Sequence, residues 1–99
     1  MRLSAEYQTT ITATAQKVFG AGASVWLFGS RLDDSAKGGD VDLLVKLESP
    51  APDKAVLAVR YNALLQMQLG LQKFDVLVID PSSRLEPIHQ QALSKGVRL

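Results

Sequence analysis

The segment "DVDLLVKL" (residues 40–47) places two carboxylates at the start of an otherwise apolar run. Side chains of a β-strand alternate between its two faces, so Asp40 and Asp42 would share one face of a strand formed here. Two like charges this close repel each other at neutral pH, and one pKa would rise unless a cation lies between them. Acids at a strand start can also simply be solvated, so this pair alone leaves both interpretations open.

A second apolar run carries a matching acid. In "KFDVLVID" (residues 73–80), Asp75 is the acid within the body of the predicted strand. If the two strands are neighbours, Asp75 joins Asp40 and Asp42 in a three-carboxylate site. Hard oxygen ligands suit Mg²⁺, with Mn²⁺ as a substitute. Such a site can hold two ions about 3.5–4 Å apart, the geometry that clamps both oxygens of a phosphoryl or nucleotidyl transfer.

The segment before the two acids suggests a phosphate site. The predicted strand over residues 23–29 ends at Gly29, and Ser30 follows it directly. A strand that turns here into a helical turn presents backbone N–H groups and a hydroxyl to a phosphate, and glycine lets the ligand approach closely. Arg31 and Lys37 would offset the phosphate charge. Glycine–serine turns are common, so the combination with the acids at fixed spacing is the stronger indication.

The remaining pattern predicts an α+β fold with element order α-β-β-α-β-α, a small mixed β-sheet with helices packed on it. Helices are predicted over residues 4–19, 53–70 and 82–96, and strands over residues 23–29, 40–47 and 73–80. Ser4 and Asp53 are candidate N-caps, and Pro87 fits the first turn of the last helix. Glycines at 20 or 22, 70 and 96 supply helix ends.

Composition limits the class of protein. The 99 residues fit a single domain, and a hydrophobic content of 46% is typical of a globular chain rather than a disordered one. A net charge of +1 argues against bulk electrostatic binding of nucleic acid, so we expect no direct nucleic-acid binding. The absence of cysteine excludes disulfides and thiolate catalysis. Without a signal-like segment or a membrane-length apolar run, we expect a cytoplasmic protein with no membrane association.

The predicted helix over residues 53–70 is apolar around most of its circumference. A helix of this kind is either deeply buried or lies in an interface. A small domain has few elements to cover both sides of it. The pattern therefore leaves burial and a partner or self-association surface as equal alternatives, including a homo- or hetero-oligomer.

The combined motif has a counterpart in a known superfamily. The "FGS" of residues 28–30, nine intervening residues and the "DVDL" of residues 40–43 resemble the signature of the DNA polymerase beta-type nucleotidyltransferases. The arginine after the serine and the run "DLLV" resemble most the minimal nucleotidyltransferase (MNT) branch, whose members are single domains of about this size. The resemblance extends from the first helix to Asp75. One departure is Gly39, where many relatives carry serine.

The resemblance implies a polymerase beta-like fold over residues 1–99 and two groups of site residues. The catalytic and metal-binding residues would be Asp40, Asp42 and Asp75, and the nucleotide-binding residues Gly29, Ser30 and Arg31. Mg²⁺ would be the cofactor and ATP the substrate, with AMP transferred and pyrophosphate released. Asp75 would also assist deprotonation of the acceptor hydroxyl.

The MNT resemblance further implies a partner. Such proteins typically act as antitoxins of a helical HEPN-domain RNase toxin, and some attach AMP to a tyrosine of that toxin. Two alternatives stay open: a non-catalytic antitoxin that neutralises its partner by binding, and nucleotidyl transfer to a small molecule or to RNA.

Several further residues have an ordinary structural interpretation. We expect His89 to lie at the surface or in helix packing, Trp26 and Phe28 in the core rather than on an adenine, and Tyr7 and Tyr61 in packing rather than as AMP acceptors. Asp33 and Asp34 are expected to be solvated or capping residues. Glu48 and Asp80, at strand ends, have no assigned role.

Overall fold

The computed structural model describes residues 1, 3–33, 35, 39–70 and 72–99. Its helices are α1 (Ala5–Phe19), α2 (Lys54–Leu69) and α3 (Pro87–Lys95), and its strands are β1 (Ser24–Phe28), β2 (Val41–Lys46), β3 (Phe74–Ile79) and β4 (Val97–Arg98). A 3-10 turn, Gly29–Leu32, follows β1 directly. The predicted order of helices and strands is confirmed, with β4 as an addition.

The strands form one sheet in the order β3-β2-β1-β4. Strand β1 pairs antiparallel with β2 and with β4, whereas β2 and β3 are parallel. The parallel pair is possible because α2 connects β2 to β3, as a crossover between parallel strands requires. The predicted α+β class with a mixed sheet is therefore confirmed.

The two faces of the sheet are covered unequally. Helices α1 and α2 pack on one face over the main core, whose fully buried members are Ile11, Ala15, Leu27, Val41, Leu43, Val45, Tyr61 and Leu65. Helix α3 covers part of the other face through a smaller cluster of Leu44, Ile79 and Ala92. Because Asp42 shares its strand face with Leu44, the acid site lies on this second, less covered face.

Local sequence signals set most helix ends. The Ser4 hydroxyl accepts a hydrogen bond from the Tyr7 N–H at 3.2 Å, and Gly20, with φ of 101°, ends α1. Both predictions for α1 are confirmed. Asp53 occupies the predicted N-cap position of α2, but within the described residues its carboxylate makes no capping hydrogen bond. The predicted position is correct and the predicted capping contact is wrong.

Two predictions near the C-terminus need correction. The last helix begins at Pro87, not near residue 82, because Ser82 and Ser83 fold into a turn that donates hydrogen bonds to Asp80. Strand β4 was not predicted, since two residues are too short for an alternation pattern. In the part of the chain that the structure describes, no helix has both the length and the apolar character needed to cross a membrane.

Candidate active site

The strand register brings two of the predicted acids side by side. Asp42 of β2 is in register with Phe28 of β1 on one side and with Asp75 of β3 on the other. Residues in register on neighbouring strands project from the same face, so the two carboxylates are direct neighbours. The predicted adjacency of Asp42 and Asp75 is confirmed. Asp42 is half-buried, and Asp75 is exposed.

The surroundings of Asp42 disfavour the negative charge of its ionised carboxylate. Burial raises the pKa of Asp42, and the neighbouring charge of Asp75, a hydrogen bond with its carboxyl group and the charge of Asp40 raise it further. The ammonium of Lys73 acts in the opposite direction as the weakest contribution. The Asp42 carboxylate therefore lies where nearby negative charge outweighs nearby positive charge, a situation that a bound cation relieves.

Asp40 lies just before β2 and has a separate partner. Its Oδ2 is 3.6 Å from the Lys73 Nζ, and 43% of its side chain is exposed. Across the described residues, no three acidic or histidine side chains are arranged as a preformed metal site. The three predicted acids therefore form no single cluster among the described residues: Asp42 and Asp75 are direct neighbours, and Asp40 is paired with Lys73.

At two glycines the backbone lies very close to side chains of the candidate site. Gly29 has φ of 79°, and a Cβ built on it would collide with the Asp42 Oδ2. Gly39 has φ of 96°, and its Cβ would lie 2.6 Å from the Ser30 Oγ. Positive φ and close approach both favour glycine at these positions. The Gly29–Leu32 turn therefore lies directly against Asp42, and the Ser30 hydroxyl faces the segment that leads into Asp40.

Arg31 and Gln72 hold the starts of the two parallel strands together. The Arg31 Nη2 donates to the Gln72 Oε1 at 3.0 Å and to the Gly39 carbonyl at 3.4 Å. The Gln72 Nε2 in turn donates to the carbonyls of Gly39 and Lys73. These contacts give Arg31 a positioning role for the site, and its role in phosphate binding stays a prediction. Sequence reasoning missed Gln72, which no motif marks.

A comparison with family models matches residues 10–97 to a model described as a nucleotidyltransferase domain. The match covers all the predicted site residues and most of the chain. The chain belongs to the nucleotidyltransferase domain family. A search of curated proteins found no match to it.

The donor set of this nucleotidyltransferase domain fits a divalent cation. Such enzymes usually act on a nucleoside triphosphate with a divalent metal. Asp42 and Asp75 offer hard carboxylate oxygens, and their mutual repulsion is the kind that a bound cation relieves. Asp40 can add a further oxygen if it leaves Lys73. When bound, Mg²⁺ would neutralise phosphate charge and polarise the phosphorus that is attacked.

The other predicted residues of the nucleotidyltransferase domain take structural roles. The Tyr61 hydroxyl donates to the Ile11 carbonyl at 2.8 Å, and burial raises the pKa of Tyr61. The Tyr7 hydroxyl donates to the Leu69 carbonyl, and the His89 Nδ1 accepts the Glu86 N–H at the start of α3. These packing predictions are confirmed. Asp33 accepts two hydrogen bonds from Ser35. Lys37 and Asp34 lie outside the described residues.

The aromatic residues of β1 lie on the same sheet face as the acids. Trp26 and Phe28 are half-buried against the smaller cluster beneath α3, as expected for packing residues. The Arg98 guanidinium lies 5.4 Å from the centre of the Trp26 ring, within range of a cation–π contact. Phe28 borders Asp42 through the strand register.

Asp80 has a role that sequence reasoning did not assign. Its Oδ2 accepts the Ala51 N–H at 2.8 Å and lies 3.1 Å from the Lys54 Nζ. Its Oδ1 accepts the N–H and hydroxyl of Ser82. These contacts hold the pKa of Asp80 well below its usual value, with the Ala51 N–H as the main cause. An aspartate followed by serine two positions later is a turn signal that could have indicated this role.

Proposed function

We propose that the chain is a minimal nucleotidyltransferase that transfers AMP from ATP to a hydroxyl, a tyrosine of a partner HEPN RNase toxin, and so acts as the antitoxin. Family membership gives general nucleotidyl transfer, and the finer assignment rests on the resemblance of the Gly29–Ser30 and Asp40–Asp42 motif to MNT proteins. The observation that carries the proposal is the in-register Asp42–Asp75 pair with the Gly29 backbone pressed against it.

In the proposed reaction the acceptor oxygen attacks the α-phosphorus of ATP. A new oxygen–phosphorus bond forms, the bond to the bridging oxygen of the β-phosphate breaks, and pyrophosphate leaves. Asp75 is the exposed member of the acid pair, so it is the carboxylate that an acceptor hydroxyl can reach and to which its proton can pass. Asp42, half-buried beneath the turn, is the fixed anionic ligand of the pair.

The turn supplies the other half of the proposed site. Gly29 and Ser30 are both exposed, next to Asp42 and Gly39, so a triphosphate can lie over their backbone. Arg31 and Gln72 keep the turn and the strand starts in register through their hydrogen bonds. Electrostatic stabilisation by such fixed groups is the usual main source of rate enhancement in phosphoryl-type transfers.

An exposed apolar stripe on α2 supports the proposal of a protein partner. Val56, Val59 and Met67 are 68%, 72% and 81% exposed, and Ala63 lies between them at helical spacing. Residues three and four apart share one face of a helix, and helices pack through such stripes. A helical domain such as the HEPN toxin fits this surface, here called the α2 stripe.

Transfer is tested with α-labelled ATP, Mg²⁺ and the product of the neighbouring gene, which the proposal expects to be a HEPN-domain protein. The wild type should label the partner, and Asp42→Asn and Asp75→Asn should abolish labelling. Asp53→Asn is the matched control, because that exposed aspartate lies outside the site and makes no capping contact among the described residues.

Three results would contradict parts of the proposal. Neutralisation of the toxin without label, unchanged in the Asp42→Asn and Asp75→Asn variants, would indicate a non-catalytic antitoxin. Label on an aminoglycoside or RNA instead of the protein would change the acceptor class. If Val56→Glu with Met67→Glu leaves binding of the partner intact, the α2 stripe is not its docking surface. Thr9→Glu on the exposed side of α1 is the control for that pair.

A further inference from the structure

The outer edge of β3 contains backbone groups that nothing in the described structure uses. The Val41 N–H donates to the Lys73 carbonyl, and the Leu47 N–H donates to the Ile79 carbonyl. Because a strand repeats every two residues, the odd-numbered residues of β3 bond to β2. The N–H and C=O groups of the even-numbered residues therefore point away from the sheet.

Both ends of this outer edge are capped. The Asn62 Nδ2 donates to the Phe74 carbonyl at 2.8 Å. At the other end the Asp80 N–H donates to the Ser83 Oγ, and the Asp80 carbonyl accepts the Ser83 N–H. Between these caps lie Val76 and Val78. Within the described residues, no hydrogen bond from outside the sheet reaches their four backbone groups.

A groove of about 410 Å³ runs along these two residues. Ala55 and Ala58 of α2 line one side, His89 of α3 lines the other, and residues 76–78 form the floor. The nearby Lys54 is already paired with Asp80 at 3.1 Å. Small side chains leave room for an added strand. Residues 76–79 contain no proline or charge, the residues that usually protect an edge from pairing.

We propose that this edge pairs antiparallel with the same edge of a second copy of the chain. A two-fold axis at Leu77 would place Val76 opposite Val78 of the other copy, and Val78 opposite its Val76. Each pair exchanges two N–H···O=C bonds, so all four outward groups of both copies are satisfied. The two four-stranded sheets then form one continuous sheet across an isologous interface.

The second copy fits this groove better than a helix does. The outward N–H and C=O groups of Val76 and Val78 are symmetric about Leu77. An identical antiparallel strand therefore pairs with all of them. No charged side chain of residues 76–79 meets its own copy across the axis. On α2, Ala55 and Ala58 line the groove, and their small side chains let the two α2 helices approach. This interface is separate from the α2 stripe proposed for the toxin at Val56 and Met67, and it does not depend on the transferase assignment.

The test measures self-association of the full chain by sedimentation equilibrium. The wild type should dimerise, and Ala55→Glu should raise the dissociation constant at least about tenfold, because it places an unpaired charge in the groove. Val56→Glu is the matched control. Val56 is the next residue, is also exposed, and does not line the groove, so this variant should dimerise like the wild type. Circular dichroism checks that both variants fold.

Amide hydrogen exchange gives an independent readout. In the wild type the Val76 and Val78 amides should be protected, and in Ala55→Glu they should exchange rapidly while the Leu77 amide, bonded to β2, stays protected. The proposal is overturned if the wild type is monomeric, if Val56→Glu dissociates the dimer as strongly as Ala55→Glu, or if the Val76 and Val78 amides exchange rapidly in the dimer. Protection of these amides only in a complex with another protein would assign the edge to that protein instead.

Discussion

Asp75 and Asp80 lie at the two ends of β3, and their surroundings are opposite. Asp75 is exposed and has another carboxylate, Asp42, as its neighbour. Asp80 is buried and is surrounded by N–H groups, hydroxyls and the Lys54 ammonium. A carboxylate that accepts several hydrogen bonds stabilises a fold, whereas two adjacent carboxylates cost free energy unless a ligand compensates them. The difference separates an acid that stabilises the fold from the acid that we propose acts in the reaction.

The largest expected effect is on activity. Asp42→Asn and Asp75→Asn should each lower nucleotidyl transfer at least about 100-fold, the scale seen when a key electrostatic group is removed from a site. At pH 7 the Asp42→Asn variant should be at least as stable as the wild type, with a gain of no more than about 1 kcal/mol because water screens this partly exposed pair. Activity assays and urea unfolding measure the two changes.

The expected gain of stability in Asp42→Asn follows from the pKa of Asp42, which is raised in the folded protein. Ionisation of this group therefore opposes folding as pH rises through its native pKa. The stability gain of Asp42→Asn should vanish in acid, where the wild-type carboxyl is neutral. A variant that loses activity together with stability at pH 7 would contradict the functional assignment.

Asp80→Asn should give the largest loss of stability, lowering the melting temperature by several degrees at pH 7 and leaving the transfer rate of the folded fraction nearly unchanged. The pKa of Asp80 is lowered in the folded state, so its contribution to stability is full above its ordinary pKa of 3.8 and declines as pH falls from that value through the lower pKa of the folded state. Thermal melts at pH 7 and pH 3 should show wild type and variant converging in acid. Asp53→Asn should have the same melting temperature as the wild type at both pH values.

Gly29→Ala is expected to have an intermediate effect on both stability and activity. Its positive φ alone costs an alanine about 1–2 kcal/mol, and the added Cβ also displaces the Asp42 carboxylate. Gly20→Ala separates the two causes, since Gly20 has φ of 101° and no described atom within 4 Å of its Cβ position. Both variants should lose stability in urea unfolding, but only Gly29→Ala should lose activity. Equal activity in the two variants would mean that the turn does not position Asp42.

The smallest effect is expected from Lys73→Met. Its ion pair with Asp40 is 3.6 Å long, and the Lys73 side chain is 70% exposed, so the stability change should stay within about 0.5 kcal/mol. Lys54→Met should lower the free energy of unfolding clearly more than Lys73→Met does, because the partner of Lys54, Asp80, is buried. Chemical unfolding of both variants measures how much each lysine contributes to stability, Lys73 near the start of β3 and Lys54 near its end. A larger loss in Lys73→Met would reverse the distinction drawn between them.

Much of the candidate site was predictable from short-range patterns. The alternation of "DVDLLV" and "FDVLVI" indicated which side chains share a face, and the spacing from Gly29 to Asp42 indicated the motif. These signals are local, since side-chain direction in a strand depends only on neighbouring residues. The role of Gln72 and the contacts of Asp80 with Ala51 and Lys54 were not predictable in this way. Their partners lie far along the chain, at Arg31 and Gly39 for one and at Ala51 and Lys54 for the other.

The sequence by itself determined the helices and strands, apart from the two-residue β4 and the start of α3, and it identified Asp42 and Asp75 as a potential pair. Only the tertiary structure decided that β3 lies parallel to β2 with these two acids in register. It also decided that the buried Asp80 carboxylate has hydrogen-bond partners and that the backbone N–H and C=O groups of Val76 and Val78 point away from the sheet. Strand order and register depend on contacts between distant segments, which hydrophobic alternation along one strand does not specify.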